Sequence, residues 1–63
     1  MNDKYLFIFS VNGALVWSGD TKEQLLKRRL AQGDQEVVKE FVTIARPGDH
    51  IILSSGEMVV KSR

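Results

Sequence analysis

The chain has no cysteine and a single histidine, His50. Disulfide staples are therefore excluded, and a structural zinc site, which needs four ligands, is nearly so. No sign of charge dominates: nine Lys and Arg against eight Asp and Glu leave a net charge of +1. Such a balance offers no global field to attract nucleic acid or an anionic membrane. Long hydrophobic runs are absent too. The stretch Leu6 to Phe9 is far too short to span a bilayer. It is also too short for a signal-peptide core, and no small-residue cleavage site follows it. These features together lead us to expect a cytoplasmic protein with no membrane partner.

Catalytic and ligand signatures are missing as well. The glycines are scattered at Gly13, Gly19, Gly33, Gly48 and Gly56, with none of the spacing of a phosphate loop. The one nucleophile-like grouping is His50 with Asp49 and Ser54 or Ser55. It has neither a nucleophile elbow nor an oxyanion loop beside it, so these residues read as turn and strand-start residues. No carboxylate pair has a reason to hold a shifted pKa. The sequence leads us to expect no enzyme activity, no cofactor, no metal and no small-molecule substrate.

What remains is a globular composition, 43% hydrophobic and 27% charged, in 63 residues. That length allows one domain, residues 1–63. A domain of this size buries only about 60% of the surface its unfolded chain exposes, so small folds usually recruit a staple. With disulfides and zinc set aside, association is the staple left.

The most telling segment is Tyr5-Leu6-Phe7-Ile8-Phe9-Ser10-Val11. A strand covered on one side alternates apolar and polar residues, and this one does not. Asn12-Gly13 follows, the strongest short hairpin signal, because a type I′ turn needs positive φ at both central residues. The return strand is Ala14 to Ser18, with Val11 opposite Ala14, Phe9 opposite Val16 and Ile8 opposite Trp17. One face of this hairpin carries Tyr5, Phe7, Phe9, Val11, Ala14 and Val16. The other carries Leu6, Ile8, Leu15 and Trp17.

A capping box, Asp20 with Glu23 or Thr21 with Gln24, opens a first helix expected to run to Ala31 or Gln32. Gly33 is expected to cap its C-terminus and Asp34 to cap the next helix at once. That second helix, Gln35 to Ala45, places Val37, Val38, Phe41, Val42, Ile44 and Ala45 on one arc. Arg46-Pro47-Gly48-Asp49 suits a type II turn. His50 to Ser54 and Glu57 to Lys61 read as a second hairpin around Ser55-Gly56. A two-residue turn there sets Leu53 opposite Met58 and Ile51 opposite Val60, leaving Ile52 and Val59 on the other face.

The expected fold is α+β in ββααββ order: a four-stranded, mostly antiparallel sheet with an αα-hairpin on one face. The apolar first strand belongs in the centre, and the fourth, with its charged end, at an edge. Hairpin 1 then leaves an apolar patch on whichever face looks away from the helices. The expected protein interface is Leu6, Ile8, Leu15, Trp17, Ile52 and Val59, with Lys22, Arg28 and Arg29 as its rim or as anion contacts. Its partner is a second copy of the chain or a larger protein, as for a small regulator, inhibitor or adaptor. The alternative is a nucleic-acid-binding module. It would stack bases on Tyr5, Phe7 and Phe9 or use the basic run Lys27-Arg28-Arg29.

Overall fold

The computed structural model describes residues 3–62. β1 (Lys4–Val11) and β2 (Ala14–Thr21) form the first hairpin. Asn12 at φ 51° and Gly13 at φ 81° make the left-handed turn that the Asn-Gly pair predicts. The register is the expected one, with Val11 opposite Ala14 and Ile8 opposite Trp17, but β2 continues three residues beyond Ser18.

Of the two possible capping boxes, the chain uses Thr21 and Gln24. Gln24 N–H donates to Thr21 Oγ1 at 3.2 Å, and Thr21 N–H donates to Gln24 Oε1 at 2.9 Å. The helix so started, α1 (Lys22–Leu26), is only five residues long. It does not reach Ala31 as expected. The chain unwinds after Lys27, which frees the Arg28 side chain to bond Asp20 and Leu30 to pack against the core.

α2 (Gln32–Ile44) therefore starts earlier than expected, and Gly33 and Asp34 lie in its first turn instead of between two helices. Asp34 does not act as the N-cap. Its buried carboxylate accepts hydrogen bonds from Ser54 N–H and Ser54 Oγ, both at 3.0 Å. A negative charge there also suits the positive end of the helix dipole. The buried stripe of α2 is narrower than the predicted arc: Val38, Phe41 and Val42 are buried, whereas Val37 and Ile44 are exposed.

Pro47 and Gly48, at φ 94°, form the expected turn. It is closed by Asp49 N–H donating to Arg46 carbonyl oxygen at 2.9 Å. β3 (His50–Ile52) and β4 (Met58–Lys61) follow. Their hairpin differs from expectation in one respect that matters. Leu53 N–H donates to Glu57 carbonyl oxygen at 2.7 Å, and Gly56, at φ 93°, closes the turn back to Leu53. The loop thus has three residues, Ser54 to Gly56, with glycine at the left-handed position such loops require. Ile51 consequently pairs with Val59 and Ile52 with Met58. A shift of one residue in pairing sends every side chain of a strand to the opposite face. Val59, expected on the outer face, is fully buried instead, and Met58 and Val60 take the outer positions.

The four strands form one antiparallel sheet in the order β2-β1-β4-β3. β1 is central, as its sequence implies. β4 is central as well, not an edge. Its charged end is accommodated because Lys61 Nζ donates to Ala45 carbonyl oxygen at 3.1 Å and lies 3.9 Å from the Asp3 carboxylate. Both helices sit on one side of the sheet. The core between them and the strands contains Tyr5, Phe7, Leu25, Val38, Phe41, Val42, Leu53 and Val59. Tyr5 meets Phe41 edge to face, with ring centroids 6.3 Å apart. Burying a side chain such as Phe7 or Leu25 contributes roughly 1.5–3 kcal/mol, so this one cluster carries most of the fold.

Candidate functional face of the sheet

The core settles which face of hairpin 1 looks outward. Tyr5 and Phe7 are buried under the helices and Phe9 packs against them. By alternation, Leu6, Ile8, Leu15 and Trp17 stand on the opposite side of the sheet. Neither α1 nor α2 covers that side.

The strand register turns these residues into rows. Trp17 lies opposite Ile8, Ile8 opposite Met58, and Met58 opposite Ile52. An unbroken apolar row thus crosses all four strands, about 14 Å at the usual strand spacing. Directly opposed side chains stand about 4.5–5.5 Å apart, close enough to touch along the row. The next row reads Gly19, Leu6, Val60 and His50. Leu15 sits above the first row, opposite Ser10. The ends of the row and Leu15 are the most open: Trp17 is 68% exposed, Ile52 64% and Leu15 79%. Ile8 and Met58, flanked by strands on both sides, are half-buried. Lys4 stands at the end where β1 begins, and Glu57 lines a depression beside Ile8, Leu15 and Met58.

Five of the six expected interface residues therefore share one surface: Leu6, Ile8, Leu15, Trp17 and Ile52. Val59 does not belong to it, for the register reason given above. Met58 and Val60 do belong, and were missed because the second turn reads as two residues long in the sequence. The serine before Ser55-Gly56 was the available hint of a longer loop.

The basic residues behave differently. Arg28 is no rim residue. Its Nε donates to Asp20 Oδ2 at 2.6 Å and its Nη2 to Asp20 Oδ1 at 3.1 Å. The guanidinium also lies over the Phe7 ring, 4.0 Å from its centroid. It belongs to the helix side of the sheet, as a lid on the core. Asp20 is held from a second side by Ser18 Oγ at 3.0 Å. Lys22, the first residue of α1, and Arg29, in the segment after it, are exposed on the helical part of the chain. Neither belongs to the apolar rows.

The helix side offers a depression of about 270 Å³ lined by Leu25, Leu26, Arg28, Leu30, Gln35, Glu36 and Lys39. Its guanidinium is taken by Asp20, and Lys39 lies 3.8 Å from Glu36. No nucleophile with an adjacent base lines it. His50, on the outer face, stands apart from it. Among the described residues, no group of three or more His, Asp or Glu is placed to hold a metal ion. Among the described residues, no helix is long and apolar enough to cross a membrane. The aromatic pair Tyr5 and Phe7 is closed off in the core, so bases have no access to those rings. Burial, and then the negative charge of Asp3, raises the Tyr5 hydroxyl above its ordinary pKa.

Comparison with protein-family models, with curated proteins and with solved structures finds no match to this chain.

Proposed function

We propose that this protein acts by binding protein, without chemistry of its own, through the uncovered face of its sheet. The observation that carries the reading is the apolar row Trp17, Ile8, Met58 and Ile52 on a side that no helix covers. Contiguous apolar surface of this kind is uncommon on small monomers and marks contact sites. Tryptophan is a preferred anchor in such contacts. The partner is a second copy or a larger protein, and a small regulator, inhibitor or adaptor that acts sterically fits both. A cysteine-free chain suits a reducing cytoplasm. The nucleic-acid alternative keeps only Lys22, Lys27 and Arg29 as exposed cations near one another in sequence, and no specific observation favours it.

Sedimentation at increasing concentration tests the reading. The wild type is expected above its 7.1 kDa monomer mass. Leu15→Asp and Trp17→Asp, both exposed on the outer face, are expected to abolish assembly while the circular dichroism spectrum stays native. A chain that stays monomeric throughout rules out self-association. Outer-face variants that unfold the chain would show that this surface serves stability, and the reading would fall.

A further inference from the structure

The two edges of the sheet are not alike. β3 is three residues long and follows directly on Arg46-Pro47-Gly48-Asp49, a short and punctuated edge of the kind that resists pairing. β2 is eight residues long, in unbroken register with β1, with no proline and no bulge. Its single charge, Asp20, is turned inward to Arg28. From Ala14 to Gly19 it carries no charge. Open edges with these properties are templates for another strand.

The backbone parity of that edge follows from the ladder. Lys4 carbonyl oxygen accepts from Ser62 N–H, on the β4 side. Even-numbered β1 residues thus address β4, and odd-numbered ones address β2. The odd β1 residues pair with Ala14, Val16, Ser18 and Asp20. The residues between them, Leu15, Trp17, Gly19 and Thr21, direct their N–H and C=O groups to the open edge.

We infer that two copies of this chain join through β2, antiparallel about a two-fold axis at Val16, into one continuous eight-stranded sheet. The inference rests on the protein-binding reading above and names its partner and geometry. In this register Leu15 of each copy stands opposite Trp17 of the other. Those two pairs exchange four backbone hydrogen bonds, and on the outer face they set against each other two of the most exposed apolar side chains of the molecule. On the inner face Val16 meets its own symmetry mate, and Ala14 meets Ser18. Aromatic–aliphatic opposition of this kind is favourable across strands. The seam is self-complementary, as a two-fold contact must be. No like charges meet in it, because Asp20 falls opposite Asn12 of the second copy, and the net charge of +1 imposes little repulsion. The apolar rows of both copies then lie side by side on one surface.

Cross-linking tests the seam on a chain that has no native cysteine to confuse the result. Val16 is a non-hydrogen-bonded residue of the seam, so its Cα lies about 4.5 Å from that of its mate, within disulfide reach. Val16→Cys is expected to form a covalent dimer with diamide roughly an order of magnitude faster than Ser18→Cys. Should Val16→Cys disturb packing against Phe9, mixing Ala14→Cys with Ser18→Cys serves instead, and a mixed disulfide is expected in excess over both self-disulfides. Ile52→Lys, three strands from the seam, is expected to leave the bridging rate unchanged. Bridging that Ile52→Lys abolishes would overturn the edge seam, and the copies would then meet through the sheet face. So would a wild type that sediments as a dimer with no bridge at any of these positions, which leaves the binding reading intact. Faster bridging at Ser18→Cys alone would overturn the register. A strict monomer with no bridging overturns the seam and self-association together.

Discussion

Arg28 and Asp20 form a forked ion pair, 2.6 Å and 3.1 Å at its two contacts, with the carboxylate 95% shielded from solvent and the guanidinium lying over Phe7. Eight residues separate them in sequence, and the short α1 lies between. Removing one partner of a buried pair strands the other, which costs more than the pair contributes. Because the Arg28 side chain is about a third exposed, that penalty is reduced. Arg28→Ala is expected to lower stability by about 2 kcal/mol in urea unfolding. Combining it with Asp20→Asn is expected to recover part of that loss. A double variant as unstable as the sum of the singles would show that the two residues act independently.

Met58 and Val59 are neighbours in sequence and opposites in environment, so a pair of substitutions reads the register directly. Val59→Ala is expected to cost about 2 kcal/mol, through lost burial and the cavity left in the core. Met58→Ala, on the uncovered face, is expected to stay within about 1 kcal/mol of wild type. Thermal melts with the order reversed would restore the two-residue turn and put Val59 on the outside.

Tyr5 is the only tyrosine, its side chain is fully buried, and its hydroxyl has no hydrogen-bond partner among the described residues. Burial and then the charge of Asp3 raise its pKa above 10.0. The folded state thus keeps a proton that the unfolded state gives up. The stabilisation is complete below the unfolded pKa and is lost as pH rises through the folded pKa. Stability should decline above about pH 10, and tyrosinate absorbance should appear at higher pH in the folded chain than in the unfolded one. Tyr5→Phe removes this alkaline step. It also deletes an unsatisfied polar atom, so at neutral pH it is expected to match or exceed wild-type stability, by up to about 1 kcal/mol. A Tyr5→Phe chain that melts well below wild type would mean that the hydroxyl has a partner after all.

Asp34 ties the start of α2 to the β3–β4 loop through two hydrogen bonds to Ser54. Bonds to a charged acceptor contribute about 1.5–3 kcal/mol each. Asp34→Ala is expected to lose at least one such contribution and to speed amide exchange in Ser54 to Gly56 first. Ser54→Ala removes only the hydroxyl bond and is expected to cost less than Asp34→Ala. Equal losses would mean that the backbone bond at Ser54 N–H contributes nothing.

Hairpin 1 was legible because its signals are local. Asn12-Gly13 selects the turn, the turn selects the register, and the register sorts Leu6, Ile8, Leu15 and Trp17 onto one face without reference to the rest of the chain. The order of elements was legible for the same reason: apolar periodicity and turn residues act within a few positions. The extent of α1 was not. Its helical pattern continues past Leu26, and the competing bond from Arg28 to Asp20 exists only once β2 lies beneath the helix. Hairpin 2 failed on a single residue. Ser54-Ser55-Gly56 supports a two- or a three-residue loop nearly equally, and the choice is made by Leu53 entering the core while Asp34 holds Ser54.

The sequence by itself determined that this chain has an apolar surplus: β1 and β2 carry more apolar surface than two short helices cover. Only the tertiary structure decided where that surplus lies. The helical side closes over Tyr5, Phe7 and Phe9, with Tyr5 against Phe41 of α2 and Phe7 under the Arg28 guanidinium, and this leaves Trp17, Ile8, Met58 and Ile52 in a row on the other side. Composition and alternation are properties of a strand taken alone. Which face is covered is a property of the packing, because it depends on side-chain volumes contributed by segments far apart in the chain.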